Sequence, residues 1–192
     1  MIFREQAIAG VFTVDPEPSG DERGLFARTY SQSEFAEHGI PFTVAQASVS
    51  FNERQGTLRG MHLQVPPHEE GKLVRCVAGA VYDVVVDLRG GSATQLQWLA
   101  VELTADRRVA LYVPPGLAHG FLTLEDGCEL EYLISTPYAP AAAAGVRWDD
   151  RAIGIDWPAP PGVISARDAA FPDLDIDRVR TDGPAALAGE PA

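Results

Sequence analysis

The sequence predicts a mainly β fold, a jelly-roll barrel with a few short helices. Three observations lead there. From residue 42 onward the apolar runs are strand-like, at 42–51, 57–64, 72–77, 80–88, 97–103, 108–113, 119–124 and 128–136. Short strands about 8 to 12 residues apart, joined by turns, mark a sandwich or barrel, and this number of them makes a jelly roll the economical arrangement. Val84, Val86 and Leu88 alternate with Asp83, Val85 and Asp87, which predicts a strand buried on one face and partly polar on the other. At 192 residues the chain has the length of one domain able to bury roughly 70% of its unfolded surface.

Taken in order, residues 9–14 and 25–30 read as short strands separated by a turn-rich loop over 15–21, which Arg23-Gly24 closes. Ser33-Glu34-Phe35-Ala36-Glu37-His38-Gly39 holds a cap candidate, a turn or two of helix and a terminating glycine. His38 fits the last turn of that helix, where a cation suits the dipole. After Ser135 the composition shifts. Residues 139–144 read as a bland connector, Trp148 and Trp157 as packing points in irregular segments, and Ser165-Ala166-Arg167-Asp168 as the start of a last ordered turn. The domain is expected to span 1–180, with 181–192 a disordered tail rich in Gly, Pro and Ala.

A hydrophobic fraction of 46%, a charged fraction of 22% and a net charge of −12 argue against a broad polyanion-binding face, so no nucleic acid partner is expected. A small anion held by a few local arginines is still compatible. No run approaches the roughly 18 apolar residues of a membrane span, and no cationic leader precedes an apolar stretch. The expected setting is the cytoplasm, with no membrane partner. Cys76 and Cys128 lie in apolar strand contexts without Cys-x-x-Cys spacing, which predicts reduced, buried thiols.

The stretch Gly56-Thr57-Leu58-Arg59-Gly60-Met61-His62-Leu63-Gln64 is an odd strand, because an ionisable group sits among apolar neighbours on each face. Strict alternation puts Leu58, His62 and Gln64 on one side and Arg59, Met61 and Leu63 on the other. Lys72 begins the next strand. Tyr132 shares a face with Leu130 and Ile134, which aims its phenol into the barrel. In Val113-Pro114-Pro115-Gly116-Leu117-Ala118-His119 the Pro and Gly residues set a sharp turn that points the imidazole across a barrel mouth. This spacing resembles the second motif of cupins, small jelly-roll barrels. Metal cupins pair it with a His-x-His motif, whereas the matching strand here reads His62-Leu63-Gln64. With one imidazole missing and His68 read as a loop residue, a metal-free barrel without cofactor is expected. A metal-dependent cupin enzyme using His62, His119 and His68 is the alternative.

Six blocks in order carry a closer resemblance: Asp21-Glu22-Arg23-Gly24-Leu25-Phe26, Leu58 to Gln64, Lys72-Leu73-Val74-Arg75, Tyr82 to Arg89, Pro115 to Phe121, and Ser165 to Asp168. From about residue 9 to 174 the chain resembles the dTDP-4-dehydrorhamnose 3,5-epimerase family. The resemblance implies a metal-free cupin homodimer that epimerises C3 and C5 of a nucleotide-linked 4-keto-6-deoxy sugar, dTDP-4-dehydro-6-deoxyglucose. Carried over by position, His62 is the base, Asp168 its partner and Tyr132 the acid, while Lys72 and His119 contact the sugar or its developing charge. Arg23, Phe26, Gln46, Ser48, Arg59 and Arg167 fall among the substrate-binding positions, and Tyr138 falls where an aromatic ring packs near the base.

The residue types suit that chemistry on their own terms. A hydrogen beside a ketone is weakly acidic, so its removal needs a base active near neutrality and a way to hold the enolate. Inversion further needs a donor on the opposite face. Arg59 alternates away from His62, so a bulge or a site shared between subunits must reconcile the two. Departures from the family pattern are Arg28 and Ala143 where glutamates are usual, Ser48 for an asparagine and Arg167 for a lysine. They touch the side that holds nucleotide and phosphate. Epimerisation at one carbon only, and a non-catalytic sugar-nucleotide barrel, are the remaining alternatives.

Overall fold

The computed structural model describes residues 1–189. β1 (Ile2–Glu5) and β2 (Phe12–Asp15) lead into a hairpin, β3 (Ser19–Asp21) with β4 (Gly24–Phe26), and then helix α1 (Gln32–Glu37). The barrel strands follow as β5 (Gln46–Asn52), β6 (Thr57–Gln64), β7 (Lys72–Ala78), β8 (Ala80–Asp87), β9 (Trp98–Thr104), β10 (Ala110–Val113), β11 (Leu117–Thr123) and β12 (Cys128–Ile134). A 3-10 turn (Pro140–Ala142), β13 (Ala143–Gly145), β14 (Val163–Ile164), α2 (Ala166–Ala169), α3 (Ile176–Asp182) and a second 3-10 turn (Gly183–Leu187) complete the described chain.

Two sheets form the expected cupin-type jelly roll. One runs β1-β2-β10-β7-β12-β5 and the other β13-β6-β11-β8-β9, with β14 added in parallel to β6. Their inner faces meet in a core of Val74, Cys76, Val81, Val85, Leu111, Phe121 and Leu130. Phe35 of α1 closes the outer face of the first sheet against Phe42 and Tyr112. Each such fully buried side chain stabilises the fold by about 1.5 to 3 kcal/mol.

The predicted strands from 42 onward all appear, while other expectations change. The loop over 15–21 contains β3 and turns back through β4, and residues 27–30 extend no strand. Ser31, not Ser33, caps α1 by accepting the Glu34 N–H. His38 ends that helix as expected, its ring stacked on Phe3 at 4.0 Å. The connector over 139–144 supplies β13, which pairs with β6. Its alanines carry no periodic signal, and only the neighbouring strand selects the conformation. The tail expected from residue 181 is ordered through 189. Leu187 is 2% exposed and packs with Ala186 and Val179 on the outer face of the second sheet, an apolar surface that composition alone does not reveal. The rest of that predicted tail, 190–192, lies outside the described residues.

That same cover changes the reading of β8. Val84 and Val86 face it, whereas Asp83 and Asp87 point into the barrel and are fully buried, so both faces of the strand are closed. Asp87 accepts hydrogen bonds from the Arg89 backbone N–H and guanidinium and from the hydroxyls of Ser92 and Thr94. Burial drives its carboxyl pKa up, but those donors together hold it below the usual carboxylate value. A depressed folded-state pKa contributes stability that is complete above the unfolded value of about 3.9 and is lost as pH falls below it. Asp87→Asn should therefore cost about 3 kcal/mol at pH 7, by leaving the Arg89 charge without its carboxylate, and progressively less as pH falls below the unfolded value through the depressed folded one. Urea unfolding of both proteins across a pH series from 7 downward measures the difference.

Candidate active site

The site grows from a break in β6. His62 pairs with His119 of β11, yet Arg59 pairs with Phe121, so β6 carries one extra residue between the two pairs. Gly60 makes the bulge possible. Its φ is +135°, and a Cβ there would lie 2.6 Å from the Gly120 Cα. The extra residue cancels the alternation, turning Arg59 to the side of His62 and sending Met61 and Leu63 into the outer apolar layer. The conflict between Arg59 and His62 is thereby resolved within one chain.

His62 Nε2 lies 2.8 Å from Asp168 Oδ1, although 106 residues separate them. Asp168 Oδ2 also accepts the Gly60 N–H at 3.2 Å. Burial acts to raise the Asp168 pKa, and the hydrogen bonds from His62 and the Gly60 N–H outweigh it, so the carboxyl sits below its usual value. An ionised carboxylate only accepts, so the His62 Nε2 donates to it, and in a neutral ring the lone pair is then on Nδ1. Asp168 is 4% exposed while the His62 side chain is 40% exposed, a shielded anchor beneath an accessible imidazole. Arg59, His62, Arg167 and Asp168 line one cleft of about 370 Å³ together with Ser165 and Ile164.

A second histidine–carboxylate pair stands beside the first. His119 Nε2 is 2.9 and 3.0 Å from the two oxygens of Asp83, both residues being buried. Desolvation raises the Asp83 pKa, and the adjoining imidazole offsets only part of the rise. Tyr132 enters from the opposite sheet, its ring edge-on to His119 at a centroid distance of 5.9 Å. Burial, then the Asp83 carboxylate, pushes the Tyr132 phenol well above its ordinary value, with Arg59 opposing weakly. The phenol therefore keeps its proton at physiological pH.

Lys72 begins β7 buried, its ammonium 2.6 Å from Glu70, which leaves two of its three N–H donors uncommitted to that carboxylate. Gln46 accepts the Tyr138 N–H at 3.0 Å, and Ser48 is the register partner of Tyr132. Arg59 donates to Asn52 at 2.7 Å. Ala143 pairs with Gln64 on β13 and brings no carboxylate there. Arg28 is engaged with Glu34 of α1. Of the expected site residues, Lys72, His119, Tyr132, Gln46, Ser48 and Tyr138 are not among those lining the cleft, and within one chain neither are Arg23 and Phe26. They project from the β3–β4 hairpin, with Phe26 81% exposed and Arg23 bound to Asp21. Asp83, which the sequence marks only as a polar strand residue, and Glu70 and Phe171, which it does not single out, belong to the site's surroundings. The legible sign for Asp83 was an acidic residue inside an otherwise valine-rich strand. No group of three or more His, Cys, Asp or Glu side chains with metal-holding geometry occurs among the described residues, and His68 stands exposed in its loop.

Residues 5–175 match the model of a family described as dTDP-4-dehydrorhamnose 3,5-epimerase. The chain belongs to that family. It is similar to the dTDP-4-dehydrorhamnose 3,5-epimerase of Salmonella typhimurium, 42% identical over 91% of this chain and 96% of that protein. A dTDP-4-dehydrorhamnose 3-epimerase from Streptomyces niveus is also 42% identical, over 88% and 81% of the two chains. Among solved structures, the dTDP-6-deoxy-D-glucose-3,5-epimerase of Legionella pneumophila in complex with dTDP-4-keto-L-rhamnose superposes with a TM-score of 0.86. Its identity is 31%, and the match covers all of this chain and 99% of that one. Family members are isomerases, and both the bulged strand that carries His62 and the helix that carries Asp168 lie within the matched span.

Proposed function

We propose that this epimerase inverts C3 and C5 of a dTDP-linked 4-keto-6-deoxy hexose. The observation that carries the reading is His62 held by a shielded, ionised Asp168 on an open cleft. In this reading the His62 Nδ1 removes the proton beside the ketone and Asp168 stabilises the imidazolium that forms. Lys72 donates to the ketone oxygen, where one preorganised donor contributes on the order of 3 kcal/mol in the transition state. Tyr132 returns a proton from the opposite sheet. Arg59 and Arg167 flank the cleft and suit a diphosphate, whose oxygens accept two guanidinium hydrogen bonds at once. The ligand in the Legionella structure supports the substrate class.

We further propose a homodimer in the cytoplasm. Arg23 and Phe26 are exposed on a projecting hairpin, and β5 ends its sheet with an unpaired edge and outward-facing, exposed Val49 and Phe51. Such surfaces favour pairing with a second copy, which would bring the hairpin to a neighbouring cleft. Cys76 and Cys128 are free and buried, in keeping with a reducing compartment.

One preparation tests both. On a sizing column the protein should elute near twice 20.6 kDa. Incubated in heavy water with dTDP-4-dehydro-6-deoxyglucose, it should place deuterium at both C3 and C5. Label at C3 alone would make it a 3-epimerase like the Streptomyces niveus relative. No label with any 4-keto nucleotide sugar would remove the enzymatic reading.

A further inference from the structure

Asp168 sits on α2, a helix of one turn from Ala166 to Ala169. A single turn has no stability of its own, so its orientation must be imposed from outside. On its N-terminal side the strand β14 does this, because Val163 and Ile164 pair with Thr57 and Leu58. On the other side Phe171 enters the protein, 3% exposed.

The socket that receives Phe171 is an absent side chain. Gly145 of β13 is the direct register partner of His62. A Cβ built at Gly145 would fall 2.1 to 2.7 Å from three ring carbons of Phe171, so the ring occupies the space that any other residue would fill. From that socket the ring stands edge-on to His62 at a centroid distance of 6.2 Å, and the Arg167 guanidinium lies over it at 5.9 Å. One aromatic ring thus touches the strand pair that carries the base and the arginine that lines the cleft. It is also three residues along the chain from the carboxylate. The next fixed points act on the backbone, where Arg147 reaches the Phe171 carbonyl at 3.5 Å and Asp150 accepts the Leu174 N–H.

We infer that Phe171, seated in the Gly145 notch, is a positioning residue that holds the Asp168 carboxylate on His62. The inference rests on the functional reading above for its kinetic consequence, but not for its geometry. Displacement of a supporting group by about 1 Å costs on the order of 10²-fold in rate.

The test uses four single variants and one double. Phe171→Ala should lower kcat about 30- to 100-fold, and any change in KM reports the loosened Arg167. Gly145→Ala should do the same with the ring retained, since the end of a side chain yields more readily than two paired strands. Phe171→Leu, which keeps apolar bulk, should recover most of the kcat. In an Asp168→Asn background, Phe171→Ala should have little further effect, because the group it positions is already disabled.

An equal loss of kcat in both backgrounds would reduce Phe171 to ordinary packing and overturn the inference. Should Phe171→Ala fail to fold, Gly145→Ala decides, and wild-type kcat in that variant overturns it. A second readout needs no turnover, the downfield proton signal of the His62 Nε2–H bound to Asp168. It should broaden or vanish in both Phe171→Ala and Gly145→Ala, and an unchanged signal refutes the inference. Were the wild type inactive on every 4-keto sugar nucleotide, the proposed function would fall while this signal still judged the notch.

Discussion

Replacing His62 with alanine should lower deuterium incorporation at both carbons beside the ketone by about 10³-fold or more. A positioned general base contributes roughly 10² to 10⁴ in rate, and the cleft offers no second imidazole to replace it. His119 is the nearest candidate, but its Nε2 is committed to both oxygens of Asp83 and it is buried, whereas the His62 side chain is 40% exposed. The fold should survive. Removing the imidazole leaves Asp168 with the Gly60 N–H and the Ser165 side chain and without its ring partner, a cost of about 1 to 3 kcal/mol. Exchange followed by proton NMR, with a thermal melt as control, checks the prediction. Exchange within tenfold of wild type in a folded variant would move the base elsewhere.

Tyr132→Phe is expected to separate exchange from inversion. The phenol faces the interior from the sheet opposite His62, and burial beside Asp83 keeps it protonated. Without it His62 can still remove a proton and return it to the face it came from. Solvent deuterium should therefore enter the substrate at a rate within about tenfold of wild type, while epimerised product falls about 10²- to 10³-fold, the loss of one positioned acid. Comparing label in recovered substrate with label in epimerised product measures the split. If exchange and inversion fell together, Tyr132 would be needed for abstraction itself, and the two-face assignment would fail. Loss of inversion at one carbon with retention at the other would instead divide the two carbons between different acids.

The polar residues of the candidate site were legible in the chain as exceptions to strand patterning. His62, Arg59, Lys72, His119 and Tyr132 each place a polar group where an apolar strand residue would serve packing better, and that mismatch is visible without coordinates. The pairing of His62 with Asp168 was reached through the family pattern alone, since nothing local in Ser165-Ala166-Arg167-Asp168 names its partner. Asp83 was misplaced because alternation shows which residues share a face but not whether that face meets water. Both faces of β8 are covered, one by the opposing sheet and the other by the C-terminal segments. Gly145 and Phe171 carried no signal at all, because a missing Cβ acquires meaning only when a ring fills its place. Arg23 and Phe26 mark the other limit, since the hairpin that holds them leaves the cleft of its own chain.

Local chemistry along the chain determined the barrel strands from residue 42 onward, their turns and the polar residues set among them. These depend on backbone propensity and alternation, which act over a few residues. Three features belong to the tertiary structure alone: the bulge at Gly60 that turns Arg59 toward His62, the burial of Asp83 against His119, and the docking of a one-turn helix that brings Asp168 across 106 residues. Each arises where two segments distant in sequence compete for the same space. The outcome is set by which pair of backbones can approach closest, and no single segment encodes that.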